Sequence, residues 1–156
     1  MPAKRSAGLL IYRVQSQGVE ALLVHPGGPF FAKKDDGAWF IPKGQIEPDE
    51  EPLAAARREF NEELGFEPPR GEPLELGTVK NKGGKLIYAW ALAGDVDLSG
   101  FRSNTFKLEW PPRSGQQREF PEVDQARYFD IETARQKMHP AEQPLLERLL
   151  QSLPER

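Results

Sequence analysis

The sequence predicts an α/β/α sandwich built on a mixed β-sheet. Short segments rich in Leu, Ile, Val and Tyr recur along the chain and are separated by turns that contain Gly or Pro, which is typical of strands. One helical segment with clear bounds, Pro52–Leu64, lies among these strands, and two more follow the last strand. Mixed strands with helices between and after them favour a layered α/β architecture.

Seven segments have the composition of strands. The first two are separated only by residues 15–18, so we expect them to form a hairpin. The fourth and fifth flank a Gly-rich turn at 81–84, and the sixth precedes a Pro-rich loop at 111–115. The expected strands are residues 6–13, 19–24, 39–42, 74–79, 86–92, 105–110 and 126–129.

The segment Pro52–Leu64 has the start and stop signals of a helix. We expect Asp49 to be its N-cap, and proline is tolerated in a first turn. Gly65 is expected to end the helix in the left-handed conformation, with Phe66 as its hydrophobic contact.

Two later segments, Ile131–Lys137 and residues 141–153, also have the pattern of helices. The second has a stripe of leucines that could bind a partner helix, but docking onto the sheet is favoured. The stripe consists of Leu145, Leu146, Leu149, Leu150 and Leu153.

Composition limits the classes of protein to which the chain can belong. The 156 residues, 29% charged and 38% hydrophobic, fit one soluble domain spanning residues 1–156. A net charge of −3 disfavours a nucleic-acid partner. No apolar stretch is long enough to span a bilayer, so no membrane partner is expected. Cysteine is absent and the basic start lacks the features of a signal peptide, which favours a cytoplasmic location.

Three carboxylates share one face of the Pro52–Leu64 helix. Glu59, Glu62 and Glu63 stand at positions i, i+3 and i+4, turned away from an apolar stripe that can pack on the core. Such a face is either solvated or a site for a hard cation such as Mg²⁺ or Mn²⁺. Histidine ligands are not required, and we expect His25 and His139 to be ordinary surface residues.

The residues around this face resemble the Nudix box. That pattern is Gly, five residues, Glu, seven residues, then Arg-Glu-hydrophobic-any-Glu-Glu-any-Gly-hydrophobic, and residues 44–66 match every defined place. The matching residues are Gly44, Glu50, Arg58, Glu59, Phe60, Glu62, Glu63, Gly65 and Phe66. The order of elements around the box is also similar to a Nudix domain, which implies a Nudix-type α/β/α sandwich.

The resemblance implies a magnesium-dependent hydrolase that cleaves a phosphoanhydride bond in nucleoside diphosphate derivatives by water attack on phosphorus. Mn²⁺ is a substitute cation. Glu50 and Arg58 would pair across the loop and the helix, and Gly44 would let the backbone approach ligand or metal. The implied metal ligands are the carboxylates of Glu59, Glu62 and Glu63 and the backbone carbonyl of Lys43.

A general base must also reach the attacking water. In several Nudix enzymes the base lies on a loop a few residues before the final aromatic strand, and here Glu122 stands six residues before Tyr128. Glu119 is the second candidate, and a box carboxylate such as Glu62 is the third. Both loop acids also fit an ordinary polar loop.

Three residues outside the acids are candidates for substrate contact. The segment 39–44, WFIPKG, is similar to the one that precedes the box in dinucleoside polyphosphate and diphosphoinositol polyphosphate hydrolases. Within it, Trp39 and Lys43 are expected to contact substrate, although Lys43 fits a solvent-exposed lysine equally well. Arg113, after a double proline, is expected to lean over the cleft.

Other functions remain open at this point. The partner is expected to be a small-molecule nucleotide, either a dinucleoside polyphosphate or a nucleoside di- or triphosphate, bound by a monomer or homodimer. One alternative is a nucleotide-binding or sensing module on a Nudix scaffold, although no box acid is missing here. A hydrolase of RNA ends is disfavoured because a long polyanion needs a basic stripe.

Overall fold

The computed structural model describes residues 4–154, which form eight strands, three α-helices and one short 3₁₀ helix. The strands are β1 (Arg5–Gln15), β2 (Gly18–Pro26), β3 (Lys43–Gln45), β4 (Leu74–Lys80), β5 (Leu86–Ala93), β6 (Thr105–Glu109), β7 (Gln117–Pro121) and β8 (Val123–Asp130). The helices are α1 (Pro52–Leu64), α2 (Ile131–Lys137) and α3 (Gln143–Ser152), and the 3₁₀ helix is Leu98–Gly100.

The main sheet is mixed, as predicted. Its strand order is β4-β5-β1-β2-β8, and β3 pairs with β1 outside this path. Strands β1 and β5 run parallel, and the other pairs in this sheet are antiparallel. Strands β6 and β7 form a separate two-stranded ribbon. Because β1 pairs with β2, β3 and β5, it fixes the position of the segment that opens the predicted box.

Helix α1 covers one face of the sheet. Phe60 and Leu64 are fully buried, and they share a hydrophobic cluster with Leu9 and Ile11 of β1. Alternate residues of a strand point to opposite faces, so Leu10 belongs to the other cluster. The apolar stripe of the helix therefore faces the core, and its acidic face is turned away from it.

Helices α2 and α3 cover the opposite face and complete the sandwich. Leu145, Leu146 and Leu149 are fully buried against Leu10 and Leu23 of the sheet. The leucine stripe of the last helix thus docks onto the sheet, as predicted. Within residues 4–154, none of the helices is both long enough and apolar enough to cross a membrane.

The N-terminus of α1 differs from the prediction, whereas its C-terminus agrees. The N-cap is Glu51, and no side chain caps the helix. Asp49 instead adopts a positive φ of 64°, which asparagine and aspartate tolerate better than most residues. Gly65 ends the helix with a φ of 88°, and the Phe66 ring lies 5.7 Å from that of Phe60.

One strand prediction was also wrong, and strands β3 and β7 were not predicted. Residues 39–42 form only isolated bridges, Trp39 with Met138 and Phe40 with Val24, and β3 begins after them at Lys43. The segment is apolar because it is buried between the sheet and α2. Such burial does not require continuous hydrogen bonding to a neighbouring strand. Strand β7 was not predicted because its residues are polar and mostly exposed.

Candidate active site

Arg58 of α1 binds three carboxylates of the box. Its Nε and Nη2 each donate to one oxygen of Glu50 at 2.9 Å, and this contact lowers the pKa of Glu50 to about 2. Its Nη1 donates to Glu59 at 2.8 Å and to Glu62 at 3.2 Å. Its Nη2 also donates to the Gln45 carbonyl at 3.0 Å. The structure thus contains the Glu50–Arg58 pair that the family resemblance implies, and the pair ties the loop to the helix.

Gly44 lies against the carboxylate of Glu59. A Cβ at Gly44 would stand 1.9 Å from Cδ of Glu59, so any other residue would displace this carboxylate. The Glu59 side chain is only 13% exposed, and burial raises its pKa despite the hydrogen bond from Arg58. Glycine at this position therefore leaves the space that the Glu59 carboxylate occupies, in addition to any approach of a ligand.

Glu63 is the most strongly perturbed acid of the site. Burial raises its pKa to about 8; the attraction of Lys43 opposes this effect, and the charges of Glu59 and Glu122 reinforce it. Its Oε1 accepts a hydrogen bond from the backbone amide of Lys43 at 3.3 Å. A buried carboxylate with one long hydrogen bond is poorly compensated, which is the condition that a bound cation relieves.

The Lys43 side chain is neither free in solvent nor aimed only at a ligand. Its Nζ lies 2.7 Å from Oε2 of Glu142, the residue before α3, and 4.4 Å from the centre of the Phe40 ring. Glu142 is 1% exposed. Sequence reasoning missed Glu142, because an acid at the start of a helix ordinarily needs no partner beyond the helix dipole.

Glu122 stands between β7 and β8, close enough to the box for its charge to raise the pKa of Glu59 and that of Glu63. Its carbonyl accepts from the Gly27 amide at 3.0 Å, and its amide donates to the Asn104 carbonyl at 2.7 Å, so its backbone is fixed. Desolvation raises its pKa, and the charge of Glu62 adds to this effect. Glu119 is exposed and its Oε1 accepts a hydrogen bond from the Thr105 hydroxyl at 2.8 Å.

A cavity of 270 Å³ joins these acids to an apolar wall. Glu63, Glu122 and Lys43 line its polar end, and Phe31 and Phe40 meet edge to face at 6.0 Å on its apolar side. A larger depression of 630 Å³ beside the β1–β2 turn is lined by none of these residues.

The two other predicted substrate contacts lie outside this cavity. Trp39 is 2% exposed, its Nε1 donates to Asp35 at 2.8 Å, and its ring packs on Phe129 at 4.9 Å. The prediction that Trp39 contacts substrate is therefore wrong, because its ring is a core element. Arg113 is exposed at the turn between β6 and β7 and does not line the cavity.

The histidines are not ordinary surface residues. His25 is 4% exposed; its Nδ1 lies 2.8 Å from Asp124, and its Nε2 donates to the Lys34 carbonyl at 2.7 Å. The His139 ring is half-buried and stacks on Phe40 at 5.1 Å. Both histidines hold the loops around the cavity in place.

The donor set of the box fits a hard divalent cation. Every candidate ligand is an oxygen atom, which Mg²⁺ and Mn²⁺ prefer. Within residues 4–154, no three acidic or histidine side chains stand close enough together to hold one ion as they are. Arg58 accounts for this, since its guanidinium draws the carboxylates of Glu59 and Glu62 toward itself. A bound cation would replace the hydrogen bonds from Arg58 to these two carboxylates.

Comparison with known proteins agrees with the fold and with the family resemblance of the sequence. The family model described as the NUDIX domain matches residues 2–149. An Ap4A hydrolase of C. elegans, solved as a binary complex, superposes with a TM-score of 0.67 at 22% identity, over 94% of this chain and 96% of that one. The NUDIX domain of Shewanella oneidensis NrtR, in complex with ADP ribose, gives 0.66 at 15% identity, over 99% and 90%.

A third solved structure, the MutT protein of Methanosarcina mazei Go1, has a TM-score of 0.62 at 19% identity and covers 96% of this chain and 94% of that one. At these identities the superpositions establish the fold, and the family match over nearly the whole chain establishes the family. With its box complete from Gly44 to Phe66, the chain belongs to the Nudix family as a Nudix pyrophosphohydrolase.

Proposed function

We propose that the protein is a magnesium-dependent hydrolase of nucleoside diphosphate derivatives, either dinucleoside polyphosphates or nucleoside di- and triphosphates. One observation carries the proposal: the box acid Glu63, Glu122 and Lys43 meet an apolar, aromatic wall within one cavity. A polar end beside an apolar wall suits a ligand that joins phosphates to a flat base. The aromatic wall, Phe31 and Phe40, would contact the base, and the polar end would receive the phosphates.

The cation would be held by the carboxylates of Glu59, Glu62 and Glu63 and by the carbonyl of Lys43. When bound, it supplies charge neutralisation for the phosphates and acidifies the attacking water. Arg58 is a positioning residue for this site, because it fixes the loop through Glu50 while restraining two of the ligands.

Glu122 is the proposed general base. It lies on a fixed backbone across the cavity from α1, and its raised pKa makes its carboxylate a better proton acceptor than an ordinary glutamate. The water oxygen forms a bond to phosphorus, the anhydride P–O bond breaks, and the leaving phosphate keeps the electron pair. The water proton passes to a carboxylate oxygen of Glu122. Glu62, which is 39% exposed, is the alternative acceptor.

The test is a Mg²⁺ assay over a panel of dinucleoside polyphosphates, nucleoside di- and triphosphates, nucleotide sugars and diphosphoinositol polyphosphates. Product identification in ¹⁸O-water locates the attacked phosphorus. We expect turnover of at least one nucleotide, abolished by excess EDTA. Full turnover in EDTA would refute the metal requirement. Tight binding of a panel member without any turnover would support a nucleotide-sensing module instead.

A further inference from the structure

Glu142 is a buried acid that the proposed chemistry does not use. It is 1% exposed and immediately precedes α3, yet its side chain does not cap that helix. Its Oε1 accepts a hydrogen bond from the backbone amide of Ile41 at 2.9 Å, and its Oε2 lies 2.7 Å from Nζ of Lys43. Both oxygens are therefore committed to the segment that leads into the Nudix box.

A buried carboxylate needs a partner charge, and here the partner is a residue of the cavity. The Lys43 side chain is 21% exposed and lines the polar end of the 270 Å³ cavity. An ammonium group has three donors, and within the described residues Glu142 is the one carboxylate in ion-pair contact with it. The ion pair therefore holds the Lys43 ammonium in place while the side chain still lines the cavity.

The backbone of the same segment is held from two directions. Glu142 accepts from the amide of Ile41, and Glu63 accepts from the amide of Lys43. Strand β1 adds a third contact, since the Leu9 amide donates to the Pro42 carbonyl at 3.2 Å. The Lys43 carbonyl belongs to this three-residue segment, so its position depends on Glu142 as well as on the box.

We propose that Glu142 is a positioning residue of the active site, which fixes both the Lys43 ammonium and the Lys43 carbonyl across the layers of the sandwich. The expected effect of Glu142 on turnover rests on the proposed function. Its structural part, the placement of a backbone ligand for a divalent cation, is measurable without turnover.

The informative variant is the double substitution Lys43→Met with Glu142→Met. It leaves net charge unchanged and buries no unpaired charge, and it removes the acceptor of the Ile41 amide while an apolar stem stays over Phe40. Because one buried amide loses its acceptor, we expect it to melt no more than about 10 °C below the parent. We expect its affinity for Mn²⁺ alone, titrated by electron paramagnetic resonance, to be about tenfold weaker, as for other outer-sphere partners of metal ligands. Its kcat/KM should fall at least tenfold.

The single variant Glu142→Gln and the control Glu147→Gln complete the set. Glu147 lies on the same helix in an exposed pair with Arg135, so its removal should change neither Mn²⁺ affinity nor turnover. Glu142→Gln keeps an acceptor for the Ile41 amide, so its loss of Mn²⁺ affinity should be smaller than that of the double variant.

Parental Mn²⁺ affinity in a folded double variant overturns the proposal, and so does parental kcat/KM. If the parent turns over no substrate of the panel, the proposed function fails, and Mn²⁺ affinity alone decides the role of Glu142.

Discussion

Replacing Glu63 by glutamine should stabilise the metal-free protein, and it should do so only at high pH. Glu63 is partly buried on the acidic face of α1, and its carboxylate accepts one long hydrogen bond. Glutamine has the same shape without the charge. The substitution therefore removes the desolvation penalty of the ionised acid while leaving the packing around it almost unchanged.

The sign follows from proton linkage. Burial raises the pKa of Glu63 from 4.5 to about 8, so between these values the folded state holds a proton that the unfolded state has lost. Stability therefore falls as pH rises from 4.5 and stops falling above about 8. The full shift in the pKa of Glu63 corresponds to at most about 5 kcal/mol in the free energy of unfolding. Partial solvation of the carboxyl reduces this contribution to roughly 2–3 kcal/mol.

The assay is urea unfolding in EDTA at pH 5 and pH 8.5, for the parent, Glu63→Gln and Glu62→Gln. We expect Glu63→Gln to match the parent near pH 5 and to exceed it by roughly 2–3 kcal/mol at pH 8.5. Glu62 is the matched control, because its side chain is 39% exposed and water solvates its charge. An equal dependence on pH in the parent and in Glu63→Gln would refute the reasoning.

Three further substitutions test the site. Gly44→Ala should displace the Glu59 carboxylate and weaken Mn²⁺ binding at least tenfold in a titration. An unchanged affinity would mean that Gly44 does not influence metal binding. Arg58→Ala should lose about 2 kcal/mol in urea unfolding and most of kcat, because Glu50 is released; parental values of both would contradict the pairing role. Glu122→Gln should lower kcat by about 10²–10⁴, because the general base is lost. It should also abolish the fall of kcat/KM at acidic pH, which in the parent should occur at a higher pH than an ordinary glutamate would give, because the pKa of Glu122 is raised. A retained fall at acidic pH would assign the base elsewhere.

The parts of the fold that could be predicted are those that local chemistry determines. The bounds of α1 follow from Pro52 and Gly65, and α2 was predicted with its observed bounds. The apolar composition of residues 39–42 did not predict their conformation, because a short apolar run fits a strand or an irregular buried segment equally well. Strand β7 was missed because its residues, QREFP, do not alternate between apolar and polar, whereas those of its partner β6, TFKLE, do.

Within the site, the relative positions of residues on one helix could be predicted from their spacing, whereas contacts between distant segments of the chain could not. Glu59, Glu62 and Glu63 share a face because of helical geometry alone, and the Glu50–Arg58 pair followed from the box. Trp39 was predicted wrongly, because nothing local distinguishes an aromatic residue in the core from one in a cleft.

The contact between Lys43 and Glu142 changes how specificity can be tested. From sequence, Lys43→Ala is expected to weaken long polyphosphates more than short diphosphates, because an ammonium at the cavity reaches phosphates beyond the metal. The structure adds a second effect, since Lys43→Ala would leave the buried Glu142 carboxylate without its partner. A loss of activity in that variant would then mix destabilisation with lost recognition. Only the charge-balanced pair of substitutions separates the two, because it removes the cation while leaving no buried charge behind.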